Sequence, residues 1–146
     1  MPSTVHGRCL CGHVVYEYRG AVGPANYCHC EDCRGCTGSA FNIGVRLERA
    51  AFHITSGCPK GFTKRGDSGN ELTRHFCPQC GSPIYTSSPQ HKQHVYVKAS
   101  TLDDPTIVKP VRQKWVASAV SWSQVDPRIP SFAKGTGNTG GAVSAA

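Results

Sequence analysis

The sequence predicts a mainly β domain. Sixteen glycines and ten prolines in 146 residues break the chain into short pieces. No window of 11 or more residues shows a convincing helical period, whereas short runs rich in Val, Ile, Thr, Tyr and Phe recur between turn signals. At this length a single domain is expected, drawn here as residues 1–133 with a flexible C-terminal tail over 134–146.

About eight short strands follow in order. Residues 12–18 (GHVVYEY) read as a strand ending at Arg19-Gly20, and 41–47 (FNIGVRL) and 51–55 (AFHIT) as two more. Residues 62–65 and 72–76 flank Gly66-Asp67-Ser68-Gly69-Asn70, a hairpin pattern that runs directly into Cys77. Residues 83–86 and 94–99 are the next strands; 107–111 and 114–120 are expected to be extended, and 101–104 to start a single turn. From Lys134 the chain is small and apolar-poor, which is the composition of a tail. The aromatic residues Tyr16, Tyr18, Tyr85, Tyr96, Trp115 and Trp122 are expected to fill the core, because such rings supply much of the buried area of a small β domain.

The formal charge of +7 overstates the basicity. Seven metal-bound thiolates and two divalent ions would lower it to about +4. No block of consecutive Lys and Arg appears, so a polyanion-binding tail is not expected. The opening Met1–His6 has neither a charged start nor an apolar run, and no stretch of ~18 apolar residues follows. A cytoplasmic protein with reduced cysteines is therefore expected, and in such a setting clustered cysteines bind metals or do chemistry.

Seven of the nine cysteines form three clusters: Cys9-x-Cys11-Gly12, Cys28-His29-Cys30-x2-Cys33 and Cys77-Pro78-x-Cys80-Gly81. On an extended segment, side chains two residues apart point to one side, so both sulfurs of Cys-x-Cys reach one ion. Gly12 and Gly81 permit the positive φ that curls the chain around a metal. Cys9, Cys11, Cys77 and Cys80 are the candidate ligands of a structural zinc, which closes its tetrahedron with four protein groups. Cys28, Cys30 and Cys33 supply three sulfurs, and a catalytic zinc keeps one position for its substrate. Spacing leaves alternatives: Cys36 or His29 as fourth ligand, a swapped pairing of Cys28 and Cys30 with Cys77 and Cys80, or an iron–sulfur cluster. If Cys28 and Cys30 point together, the His29 ring should point away.

These residues resemble a known family. Cys9-x-Cys11-Gly12, then Cys28-His29-Cys30-x2-Cys33-Arg34-x3-Gly38-x2-Phe41, then Phe76-Cys77-Pro78-x-Cys80-Gly81-Ser82 are similar to the glutathione-dependent formaldehyde-activating enzyme (Gfa/CENP-V) family. Lys114-Trp115, Trp122 and Ile129-Pro130-Ser131-Phe132 resemble its C-terminal section, so the likeness runs from about residue 6 to 133. The resemblance implies an Mss4-like fold of short coiled antiparallel sheets stapled by zinc. It implies two Zn²⁺ per chain: a structural one on Cys9, Cys11, Cys77 and Cys80, and a labile one on Cys28, Cys30 and Cys33, where the thiol substrate binds. Cys36 stands where the family has a small non-cysteine residue, and Cys58 has no counterpart.

The function expected is a carbon–sulfur lyase that forms or cleaves adducts of a thiol, such as glutathione, with an aldehyde, such as formaldehyde. Zinc would hold the thiol as thiolate, ready to attack the carbonyl and form a hemithioacetal. Cys28, Cys30 and Cys33 are the catalytic candidates, and Arg34 could meet a substrate carboxylate through its planar fork. His29, Glu31 and Asp32 read as turn residues. His13, His53, His75, His91 and His94 lack metal-ligand spacing and read as surface or packing residues. The alternative is a non-catalytic zinc module that binds a protein or chromatin.

Overall fold

The computed structural model describes residues 3–135; the expected tail lies outside the described residues from position 136 onward. The chain is mainly β, with ten strands among the described residues: β1 Val5–Arg8, β2 Val15–Tyr18, β3 Ala25–Cys28, β4 Asn42–Glu48, β5 Phe52–Ser56, β6 Lys60–Arg65, β7 Glu71–Phe76, β8 Pro83–Ser87, β9 His94–Lys98 and β10 Pro110–Lys114. One helix, α1 Glu31–Thr37, interrupts them. The backbone divides into two compact units. Among the described residues, the first takes 3–23 and 45–108, the second 24–44 and 109–135.

In the first unit, β1, β2 and β5 form an antiparallel sheet, with Gly7 opposite Tyr16 and Tyr18 opposite Phe52. β9, β8, β7 and β6 form a second antiparallel ladder, in which Thr63 faces Thr73 with hydroxyl oxygens 2.7 Å apart. The strands alternate as a sheet with one buried face requires: Tyr16 and Tyr18 of β2, Val45 and Leu47 of β4 and Val95 and Val97 of β9 all point inward. An aromatic chain runs through this core, with Phe52 centred 5.3 Å from Tyr16 and 5.0 Å from Tyr85, and His75 stacked on Tyr85 at 4.1 Å. The buried Tyr16 hydroxyl is satisfied by Thr101 Oγ1 at 2.7 Å.

Gly7 is needed for that bond. A Cβ there would collide with the Tyr16 ring and lie 2.6 Å from the Thr101 carbonyl oxygen. Neither can yield, because the ring is wholly buried. Gly7→Ala is expected to lower stability by about 1–3 kcal/mol, the range of an overpacked core, measured as a reduced denaturant midpoint at unchanged slope.

In the second unit β10 pairs with β3 in parallel, with Lys114 opposite Cys28. The expectation of antiparallel sheets is thereby amended. The 81 residues between Cys28 and Pro110 give the chain ample length to return in the same direction. Three further expectations need correcting. Residues 114–120 are not a strand: β10 ends at Lys114, Trp115 is left-handed (φ 59°), and a 3₁₀ turn occupies Val116–Ser118. Trp122, expected in the core, is 76% exposed. Of the expected extended run 107–111, only 110–111 belong to β10; Ile107 ends a 3₁₀ turn over Pro105–Ile107, with Pro105 at its first position and the Asp104 side chain capping Thr106 N.

Candidate metal centres

The first group is built by two matching turns. Cys9 N–H donates to Val14 O (3.0 Å) and Gly12 N–H to Cys9 O (3.1 Å); Cys77 N–H donates to Ser82 O and Gly81 N–H to Cys77 O, both at 2.9 Å. Gly12 and Gly81 take φ of 79° and 78°, a conformation only glycine adopts without strain. Leu10 N–H donates to Ser82 Oγ at 3.0 Å, joining the two turns. The sulfurs of Cys9, Cys11, Cys77 and Cys80 all lie within 4.8 Å of one another. Cys9 and Cys77 are buried, and Cys9 Sγ accepts the Val14 N–H at 3.2 Å.

The second group lies at the β3–α1 junction. Cys28 ends β3, Cys30 is the N-cap of α1 with its sulfur accepting Cys33 N–H at 3.3 Å, and Cys33 sits in the first turn. Glu31 and Asp32 complement the positive end of the helix, Thr37 Oγ1 donates to Cys33 O at 2.8 Å, and Gly38 (φ 66°) closes the helix on Arg34 O. The sulfurs of Cys28, Cys30 and Cys33 lie within 4.8 Å of one another, and all three residues are half-buried.

Crowded thiols resist ionisation unless a cation joins them. The neighbouring Cys30 pushes the Cys28 thiol up, and Cys28 and Cys30 together push Cys33 far above the usual thiol range. In the first group the Ser82 hydroxyl and backbone amide pull Cys80 down to about 5. Cys11 is pushed up to about 12: the His13 amide pulls it down, but desolvation and the sulfurs of Cys80, Cys9 and Cys77 outweigh it. A cation reverses the raised values, because metal ligands bind as thiolates. The donor sets are sulfur throughout and fit a soft or borderline ion such as zinc.

Cys36, one helical turn beyond Cys33, falls outside the converging sulfurs, as does the exposed Cys58. His29 is buried and turned out of the sulfur group. Its Nε2 meets Gln113 Oε1 at 3.2 Å and its ring packs beside Phe41. Arg34 Nε donates to the His29 carbonyl at 3.3 Å, so part of its fork braces the cysteine turn. Gln113 was invisible as a site residue, since no local motif connects it to a histidine 84 positions away.

The fold and these groups define a small β protein with two cysteine clusters that could each hold a metal ion. The chain belongs to the family described as glutathione-dependent formaldehyde-activating enzyme, whose model matches residues 4–118. A Halomonas elongata protein named "Putative glutathione-dependent formaldehyde-activating enzyme" is 26% identical over 135 residues, covering 85% of this chain and 82% of that one. A crystal structure of a Rhodobacter sphaeroides protein shares the fold with a TM-score of 0.56 at 19% identity, covering 75% of this chain and 99% of its own. Among the described residues no helix is long and apolar enough to cross a membrane.

Proposed function

We propose that the chain is a zinc-dependent carbon–sulfur lyase that joins the glutathione thiol to formaldehyde and reverses that addition. The family supplies the substrate class, and one observation carries the chemistry. Cys28, Cys30 and Cys33 converge as a set of three donors, whereas the other group converges as four. Four thiolates complete a tetrahedral zinc; three do not. A zinc ion held by the three would supply Lewis acidity that favours the thiolate form of a fourth, incoming thiol.

The chain's own residues prepare that site. Three sulfurs are fixed by a strand end, a helix cap and a first helical turn, so little ordering remains to be done when the ion arrives. Arg34, half-buried beside them, is the candidate partner of a substrate carboxylate through the part of its fork not used on His29. In the addition the thiol loses its proton, the C–S bond forms, the carbonyl π bond breaks and the oxygen takes a proton. The product is S-(hydroxymethyl)glutathione, with atoms and charge balanced. We take residues 1–133 as the single domain that carries the site. Seven thiols kept reduced suit the cytoplasm.

The test is exchange spectroscopy of ¹³C-formaldehyde with glutathione. Exchange is expected to rise in proportion to protein carrying two zincs and to return to the spontaneous rate after metal removal. Spontaneous exchange in the presence of doubly loaded protein would reject the enzyme and leave a zinc-stabilised binding module.

A further inference from the structure

Gln113 is 4% exposed in β10, and its side chain is committed at both ends. Its Nε2 donates to the Asp126 carbonyl at 3.2 Å, and its Oε1 faces His29 Nε2 at 3.2 Å. The amide nitrogen is spent on a carbonyl, so the atom facing the ring is oxygen and can only accept. His29 Nε2 therefore carries the hydrogen, and Nδ1 is a bare lone pair. That Nδ1 is buried with no hydrogen-bond partner among the described residues.

His29 is thus tied at every other polar atom. Its backbone N–H donates to Lys114 O at 3.0 Å, its carbonyl accepts Arg34 Nε, and its ring is 2% exposed beside Phe41. The two peptide units flanking it are those of Cys28 and Cys30, so the orientation of His29 sets the directions of both sulfurs. The anchor is itself clamped. Gln113 N–H donates to Pro130 O and Gln113 O accepts Phe132 N–H, both at 2.9 Å. Two residues on, Trp115 is held at φ 59°, a conformation costly for a bulky side chain that persists only where its surroundings impose it. Here Trp115 N–H reaches Lys134 O at 3.1 Å.

We propose that Gln113 is a positioning residue of the three-cysteine centre: acting through His29, it holds Cys28 and Cys30 at the spacing at which Cys33 can join them around a metal ion. The proposal rests on the reading of that centre as a zinc site. It assigns His29 neither a ligand's nor a base's part, and it makes segment 126–132 part of the metal-binding apparatus. Partners that orient metal ligands from outside the coordination sphere are worth about 10–100-fold in metal affinity.

The experiment is Gln113→Met, of similar length but without an amide, titrated with zinc against a chromophoric chelator. The wild-type protein is expected to bind two zincs, and the variant to bind the weaker one at least about tenfold less tightly while the tighter one is unchanged. His29→Phe should weaken the same zinc, and Gln113→Met in that background should weaken it no further, since both act through one hydrogen bond. Long-range ¹H–¹⁵N spectra should show a pure Nε2–H tautomer for His29 in the wild type and a mixture in Gln113→Met. Unchanged affinity of the weaker zinc, an equal loss at both zincs, or additive effects in the double variant would each overturn the proposal. A wild-type protein that binds a single zinc removes the underlying reading and the proposal with it, and that result is visible before any variant is made.

Discussion

Cys77→Ser is expected to leave a chain that binds no zinc at the four-sulfur centre and is largely unfolded at 37 °C. Cys77 Sγ lies 3.8 Å from Cys11 Sγ, across 66 residues of sequence. Cross-linking a loop of that length is worth about 4 kcal/mol in chain entropy alone, against a total stability of roughly 5–15 kcal/mol. The opposing consideration is that serine keeps the size of the side chain and could preserve the turn. It cannot preserve the donor set. The position is wholly buried and its sulfur accepts the Gln79 N–H, so a harder, smaller oxygen would sit where the ion needs a thiolate. Loss of the cross-link therefore outweighs the retained volume. Circular dichroism melting with metal analysis checks the result; a native melting curve with two bound zincs would show that the group is not structural.

The strands expected before residue 100 are all present: burial of one face sets the period in β2 and β4, whereas the exposed β6 and half-buried β7 are marked by the Gly-Asp-Ser-Gly-Asn turn between them. Ala25-Asn26-Tyr27-Cys28 gave no such signal. It is four residues long, contains a strand-disfavoured asparagine, and becomes β3 by lying between β4 and β10, the second of these far along the chain. α1 was equally hidden, since seven residues containing Gly35 are too few to show a period. Its stability comes from the Cys30 cap, the acidic first turn and the glycine stop, all of which are visible in sequence once a helix is suspected. The converging cysteines were legible because ligand spacing is local chemistry. The partition of Cys36 from Cys33 was not, because both stand on one helix and only its rotation decides which sulfur faces Cys28. Trp122 shows the reverse error: hydrophobicity argued for burial, and the fold left the ring in solvent.

Cys33→Ser separates chemistry from folding and should do the opposite of the change at Cys77. Exchange of formaldehyde with glutathione is expected to fall to the spontaneous rate and zinc content to fall from two to one. With zinc kept at the four-sulfur centre alone, the melting temperature should differ from that of the wild type in the same state by no more than roughly 2–4 °C, the shift that about 1 kcal/mol produces in a protein of this size. The small stability term follows from what Cys33 does for the fold. Its backbone N–H caps onto Cys30 Sγ and its carbonyl accepts the Thr37 hydroxyl, and neither contact involves its own side chain. Cys33 keeps its proton because its thiol hydrogen-bonds to the Cys28 and Cys30 sulfurs, and a serine hydroxyl can donate in the same way, so little is lost while the three-cysteine centre is empty. The large term follows from the donor count, because two sulfurs from a strand end and a helix cap cannot enclose an ion that three were arranged to hold. Unfolding of Cys33→Ser would make the second group a structural staple like the first, and full activity with one zinc would place the chemistry elsewhere.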